Sequence, residues 1–131
     1  MRIIKRGDSL IKRDNVRVCV PRYMQIGKGS LNQLPEILSI IGSVKSLLIV
    51  TDKQMVKFGY VKKLQEILSK AGFKSNVFDD TIPDPTDTIV LNGVDILKKN
   101  KNDAVIGFGG GSPIDTAKAI AVLSQYSKNI K

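Results

Sequence analysis

Asp103-Ala104-Val105-Ile106-Gly107-Phe108-Gly109-Gly110-Gly111-Ser112-Pro113-Ile114-Asp115-Thr116-Ala117-Lys118 runs from an apolar segment through a glycine triplet into an alanine- and isoleucine-rich continuation. That order predicts a strand, a tight loop and a helix. Consecutive glycines at a strand end open backbone conformations closed to other residues, and no Cβ keeps a ligand away from the N–H groups. Ser112 suits an N-cap, Pro113 the first helical position and Asp115 the third, a Ser-x-x-Asp form of the capping signal. The unpaired N–H groups and positive dipole end of such a helix face the loop, where a pyrophosphate would be stabilised. The same residues also suit a plain flexible turn followed by an ordinary cap, so the pattern alone leaves both readings open. Gly107, Gly109 and Ser112 occupy the positions of a G-x-G-x-x-G fingerprint with serine for the last glycine, and the acidic residue expected about 20 positions later falls past the end of the chain. Lys118 stands too far from the glycines for a Walker A loop.

Working outward, Ser46-Leu47-Leu48-Ile49-Val50-Thr51 is nearly continuous in apolar residues, as in a strand buried on both faces of a parallel sheet. Asp52 follows, at the carboxyl end of the strand, where open α/β sheets bind ligands. Its carboxylate can accept hydrogen bonds from the hydroxyls of an adenosine ribose and repel a 2′-phosphate, or it can cap a helix starting near Lys53. Both roles are compatible. From Lys53 to Ala71 the pattern predicts two helical pieces broken near Gly59, with Val61, Leu64, Ile67, Leu68 and Ala71 forming the buried stripe of the second. Phe73 to Phe78 reads as a further strand, Asp79 to Asp87 as a loop stiffened by Pro83 and Pro85, and Thr86 to about Asn100 as a helix. The last helix extends to about Tyr126, and Ser127 to Lys131 reads as a frayed end.

Nearer the start, Ser30 or Asn32 can cap a helix with Pro35 in its first turn, an apolar face of Leu34, Ile37, Leu38 and Ile41, and Gly42 at its end. Val16 to Val20 and Tyr23 to Ile26 have the character of short strands, the first confined to an edge by Pro21. Strands alternate with helices at least three times. The expected fold is therefore α/β, a Rossmann-like parallel sheet with helices on both faces and right-handed crossovers. Residues 1–20 form a basic N-terminal segment, expected to be an edge strand, and residues 21–131 a single nucleotide-binding domain.

Composition narrows the class. With 131 residues and 42% apolar content the chain fits one domain with a moderate core. Mean hydropathy is −0.03. The longest apolar run is far too short to span a bilayer, and no signal-peptide pattern opens the chain. A single cysteine, Cys19, cannot make an internal disulfide, which fits a reducing, cytoplasmic setting. The formal charge of +9 raises nucleic acid as a rival partner. Against it, the lysines outside residues 1–17 are scattered on predicted helix faces, few aromatics interleave with them, and no helix-turn-helix, zinc-finger or RNA-binding signature appears. The carboxylates lie on strand ends and helix caps with no acid, base or nucleophile pair at useful spacing, so no catalytic residue is named.

Four blocks in order carry a resemblance: Ile26-Gly27-Lys28-Gly29-Ser30, Leu48-Ile49-Val50-Thr51-Asp52-Lys53, Pro83-Asp84-Pro85-Thr86 and Gly109 to Ala119. Over residues 20–125 the chain resembles the N-terminal domain of the iron-containing (group III) alcohol dehydrogenases, within the dehydroquinate synthase-like fold. The resemblance implies NAD as cofactor, a small alcohol or aldehyde as substrate, and hydride transfer between the two. It implies that Asp52 contacts the adenosine ribose and favours NAD over NADP, that Asp84 lies near the cofactor, and that Gly110, Gly111, Ser112, Pro113, Ile114 and Asp115 hold the pyrophosphate and the neighbouring ribose. Family members are about three times this long. Their C-terminal helical domain supplies an aspartate and three histidines to a divalent metal, iron or zinc, whereas this chain has no histidine. The expectation is a cofactor-binding part that is inactive alone and either self-associates as a homo-oligomer or pairs with the missing domain. Its alternative is a stand-alone nucleotide- or partner-binding half-domain.

Overall fold

The computed structural model describes residues 21–126. The expectations for an N-terminal edge strand and a frayed C-terminal end lie outside these residues. A 3-10 turn, Ser30–Gln33, leads into α1 (Leu34–Ile41); then follow β1 (Ser46–Val50), α2 (Lys53–Lys57), α3 (Tyr60–Lys70), β2 (Lys74–Phe78), α4 (Asp87–Lys99), β3 (Ala104–Gly107) and α5 (Gly111–Tyr126). The three strands form one parallel sheet in the order β2-β1-β3. Val50 lies opposite Phe78 on one side and Gly107 on the other, so the strands end level with each other.

As the central strand, β1 has every apolar residue from Leu47 to Val50 at 0% exposure. Alternation across the pleat divides that run between two cores. Leu48 and Val50 pack with Phe78, Val90 and Val94 of α4, and Ala117 and Ile120 of α5. Leu47 and Ile49 pack on the opposite face with Leu38 of α1 and Val61, Leu64 and Leu68 of α3. Helices thus cover both faces, as the apolar run requires. The chain goes outward from β1 to β2 through α2 and α3 on one face and returns over β1 to β3 through α4 on the other. Right-handed crossovers demand this change of face when the direction reverses.

Local signals explain most boundaries. The Thr86 hydroxyl accepts from the Ile89 N–H and caps α4, and Gly59, at φ 78°, separates α2 from α3 in a left-handed conformation. Several details depart from the sequence expectation. Tyr23 to Ile26 carries no strand: Met24 and Ile26 are 67% and 82% exposed, and an alternating pattern without a ladder or a covering face does not make one. Neither Ser30 nor Asn32 caps α1, whose N-cap is Gln33. Ile41 and Ala71, expected on buried stripes, are exposed: Ile41 is the last residue of α1 and Ala71 the C-cap that follows α3. No helix among the described residues is long and apolar enough to cross a membrane.

Candidate functional site

At the carboxyl edge of the sheet, the loops after β1 and β3 leave toward opposite faces, one to α2 and α3 and the other to α5. Diverging loops between adjacent parallel strands open a crevice, the usual ligand position in sheets of this kind. A groove of about 480 Å³ lies there, lined by Asp52 and Lys53 after β1, Asp79 to Pro83 after β2, and Gly110, Ser112 and Pro113 after β3.

Two of its lining residues, Asp52 and Thr81, adjoin a hydrogen-bonded knot centred on Thr51, which is fully buried. The Thr51 N–H donates to the Phe78 carbonyl (2.9 Å), the Thr51 hydroxyl donates to the Phe108 carbonyl (2.7 Å), and the Thr81 hydroxyl donates to the Thr51 carbonyl (2.7 Å). One residue therefore ties together the ends of all three strands. Sequence reasoning passed over Thr51 and Thr81; a threonine closing a buried apolar run, with a second three residues past the next strand, was the available signal.

Asp52 uses one carboxylate oxygen as an N-cap: Oδ1 accepts from the Met55 N–H at 2.9 Å. The other oxygen faces the glycine loop, since a methyl group built on Gly109 would sit 3.4 Å from Asp52 Oδ2 and 3.0 Å from Pro113 Cγ. Gly109 has φ 141°, a region that side chains rarely adopt, so this position favours glycine both for its conformation and for the close approach of Asp52 and Pro113. Gly110 and Gly111 are different. A Cβ at either would meet nothing within 4 Å, so their backbone is open to an incoming group.

Helix α5 begins earlier than its capping signal suggested. The Gly110 carbonyl accepts the first helical bond, from the Ile114 N–H at 3.4 Å, which places Ser112 and Pro113 inside the first turn rather than at its edge. Pro113 is tolerated at the third position because that N–H has no helical acceptor in any case. The Gly111 and Ser112 N–H groups precede the first helical bond and are free of helical partners by the same rule. Asp115 lies a turn further along, on the exposed side, 3.4 Å from Lys118.

The structure thus brings Asp52, Gly110, Ser112 and Pro113 to one groove, while Gly111 adjoins it. Ile114 and Asp115 are exposed on the helix beyond it, and Asp84 stands on the proline loop with φ 53°, outside the groove lining. Lys53, Asp79 and Asp80 belong to the groove, although the sequence did not single them out. Lys53 Nζ is 2.7 Å from Asp80 Oδ1 and 3.8 Å from Asp79 Oδ1. The Asp80 hydrogen bond, followed by the Asp79 and Asp80 charges, raises the Lys53 ammonium above its usual range. An ammonium whose pKa is raised stays charged at every pH below the ordinary lysine value and loses its charge only on rising through the higher one, so Lys53 remains a cation across the neutral range. No cluster of three or more histidine, cysteine, aspartate or glutamate side chains suited to a metal occurs among the described residues.

Comparison with known proteins bears on the family and the fold. The family model for "Iron-containing alcohol dehydrogenase" matches residues 21–131. The NADPH-dependent butanol dehydrogenase of Clostridium saccharobutylicum is 33% identical over 111 residues, covering 85% of this chain and 28% of the relative. The NAD-dependent methanol dehydrogenase of Bacillus methanolicus is 37% identical over 105 residues, 80% of this chain and 27% of the relative. Among solved structures, the NADH-dependent butanol dehydrogenase A of Thermotoga maritima superimposes with a TM-score of 0.72 at 30% identity, over 82% of this chain and 27% of that one. The chain spans a little over a quarter of the length of each of these three.

Proposed function

Since the chain belongs to the iron-containing alcohol dehydrogenase family, we propose that it is the NAD-binding part of an enzyme transferring hydride between a small alcohol or aldehyde and the nicotinamide. The observation that carries this reading is the groove at the ends of the three strands, lined by both Gly110, whose backbone is open, and Asp52. NAD supplies the hydride chemistry when bound. The chain's own contribution is to hold and orient. The Gly110, Gly111 and Ser112 N–H groups, at the positive end of a 16-residue helix, receive the pyrophosphate. Asp52 Oδ2, the oxygen not needed by the helix cap, accepts from the adenosine ribose hydroxyls.

Relatives of this chain bear both NADPH and NAD in their names, so similarity alone does not select the cofactor. The carboxylate at Asp52 is the argument for NAD, because a 2′-phosphate would meet its charge. None of the described residues fits a metal, and we derive no step of the chemistry through one. The ion that the family's name implies would be held by residues other than those described, and the expected behaviour of the 131-residue chain is NAD binding without turnover.

Calorimetric titration of the 131-residue chain with NAD+, followed by an assay with a short alcohol and Fe2+ or Zn2+, tests the reading. Binding without NADH formation is the expected result. Absence of NAD+ binding would remove the proposal, and turnover would remove its inactive-alone part.

A further inference from the structure

Among the described residues lining the groove, Lys53 carries the one positive charge and Asp52, Asp79 and Asp80 the negative ones. The fold puts Lys53 and Asp80 side by side: the main chains of Asp52 and Asp80 meet in an isolated antiparallel bridge, one residue from Lys53. The Lys53 ammonium donates to Asp80 Oδ1 at 2.7 Å, a short charge-assisted hydrogen bond, with Asp79 Oδ1 at 3.8 Å. Both side chains are largely exposed, 73% for Lys53 and 63% for Asp80, so the pair adds little to stability. Its consequence is for ligand charge. A lysine beside the ribose-facing Asp52 would otherwise be a counter-ion for a 2′-phosphate, which as a phosphomonoester bears about −1.5 to −2 at neutral pH. A compact ammonium on a flexible stem can re-aim toward such a group once released.

We propose that Asp80 is a specificity-determining residue: by holding the Lys53 ammonium, it withdraws the groove's cation from a 2′-phosphate and biases the site toward a dinucleotide with free ribose hydroxyls. This rests on the groove being the dinucleotide site argued above. Asp52 acts by direct repulsion and Asp80 by occupying the neighbouring cation, so the two select the same cofactor by separable means.

The test is a double-mutant cycle on the 131-residue chain, reading the ratio of NADP+ to NAD+ affinity by calorimetry for the unaltered protein, Asp80→Asn, Lys53→Met and the pair, with circular dichroism to confirm folding. Asp80→Asn should raise the ratio about five-fold or more at low salt, a gain that shrinks as screening increases. Lys53→Met should abolish that gain in the Asp80→Asn background, while changing the ratio less than about two-fold on its own. An unmoved ratio in Asp80→Asn overturns the inference, as does a Lys53→Met effect equal in both backgrounds, which would mean simple charge addition. If NAD+ binds the unaltered chain and the ratio stays fixed, only this inference falls. If neither dinucleotide binds, the groove assignment falls with it.

Discussion

Asp52 divides its carboxylate between two tasks, and the division can be tested at the single residue. Oδ1 caps α2 through the Met55 N–H, and Oδ2 looks across to Gly109. Asparagine keeps a capping oxygen and loses the charge, whereas alanine loses both. Asp52→Asn should therefore leave the urea midpoint nearly unchanged while raising NADP+ affinity relative to NAD+. Asp52→Ala should add a stability loss of about 0.5–2 kcal/mol, the usual cost of a lost cap. An Asp52→Asn variant with unaltered cofactor preference would exclude the charge of Asp52 from discrimination. The sequence could present Asp52 as cap or ligand residue without choosing, because both follow from a carboxylate at the end of a parallel strand. It could not present Lys53 and Asp80 as a pair: 27 positions separate them, and only the meeting of the β1 and β2 ends joins them.

Between elements, the tightest fit is that of α4 on α5. A Cβ on Gly93 of α4 would overlap Ile120 Cδ1 of α5 and crowd Cγ1 at 2.9 Å, and Ile120 is fully buried. Overpacking of this kind costs about 1–3 kcal/mol, against a gain of about 1 kcal/mol for replacing a helical glycine. Gly93→Ala should thus lower stability in thermal or urea unfolding, and adding Ile120→Val, which deletes the nearer crowding atom and leaves Cγ1 at 2.9 Å, should recover part of the loss. Equal destabilisation with and without Ile120→Val would show that the contact is not the cause. Much at this scale was legible in the chain. The β1 run, the break at Gly59 and the Thr86 cap all follow local rules, and the glycine loop lies where its composition put it. Tyr23 to Ile26 failed as a strand because pairing and cover, not alternation, decide strand formation. The start of α5 moved because glycine at Gly111 can enter a helix ahead of the serine that seemed to cap it.

For the molecule as a whole, two cores share one strand. Leu48 belongs to the core under α4 and α5, Ile49 to the core under α1 and α3. Leu48→Ala and Ile49→Ala should each cost about 2–5 kcal/mol, and each should shift one common urea transition followed by far-UV circular dichroism. Two separated transitions in either variant would mean that the faces melt independently. Charge has its own distribution at this scale. Residues 21–126 hold 13 lysine and arginine residues against 10 aspartate and glutamate, net +3, so most of the +9 of the chain falls outside them. The groove lining itself carries Lys53 against Asp52, Asp79 and Asp80, a net negative surface. The Thr51 knot has a thermodynamic meaning as well. With the strand ends already bonded to one buried residue, the rim of the groove is pre-organised: little conformational entropy remains to be lost when a ligand arrives, so affinity at this rim is set by the contacts made rather than by the cost of assembling the walls.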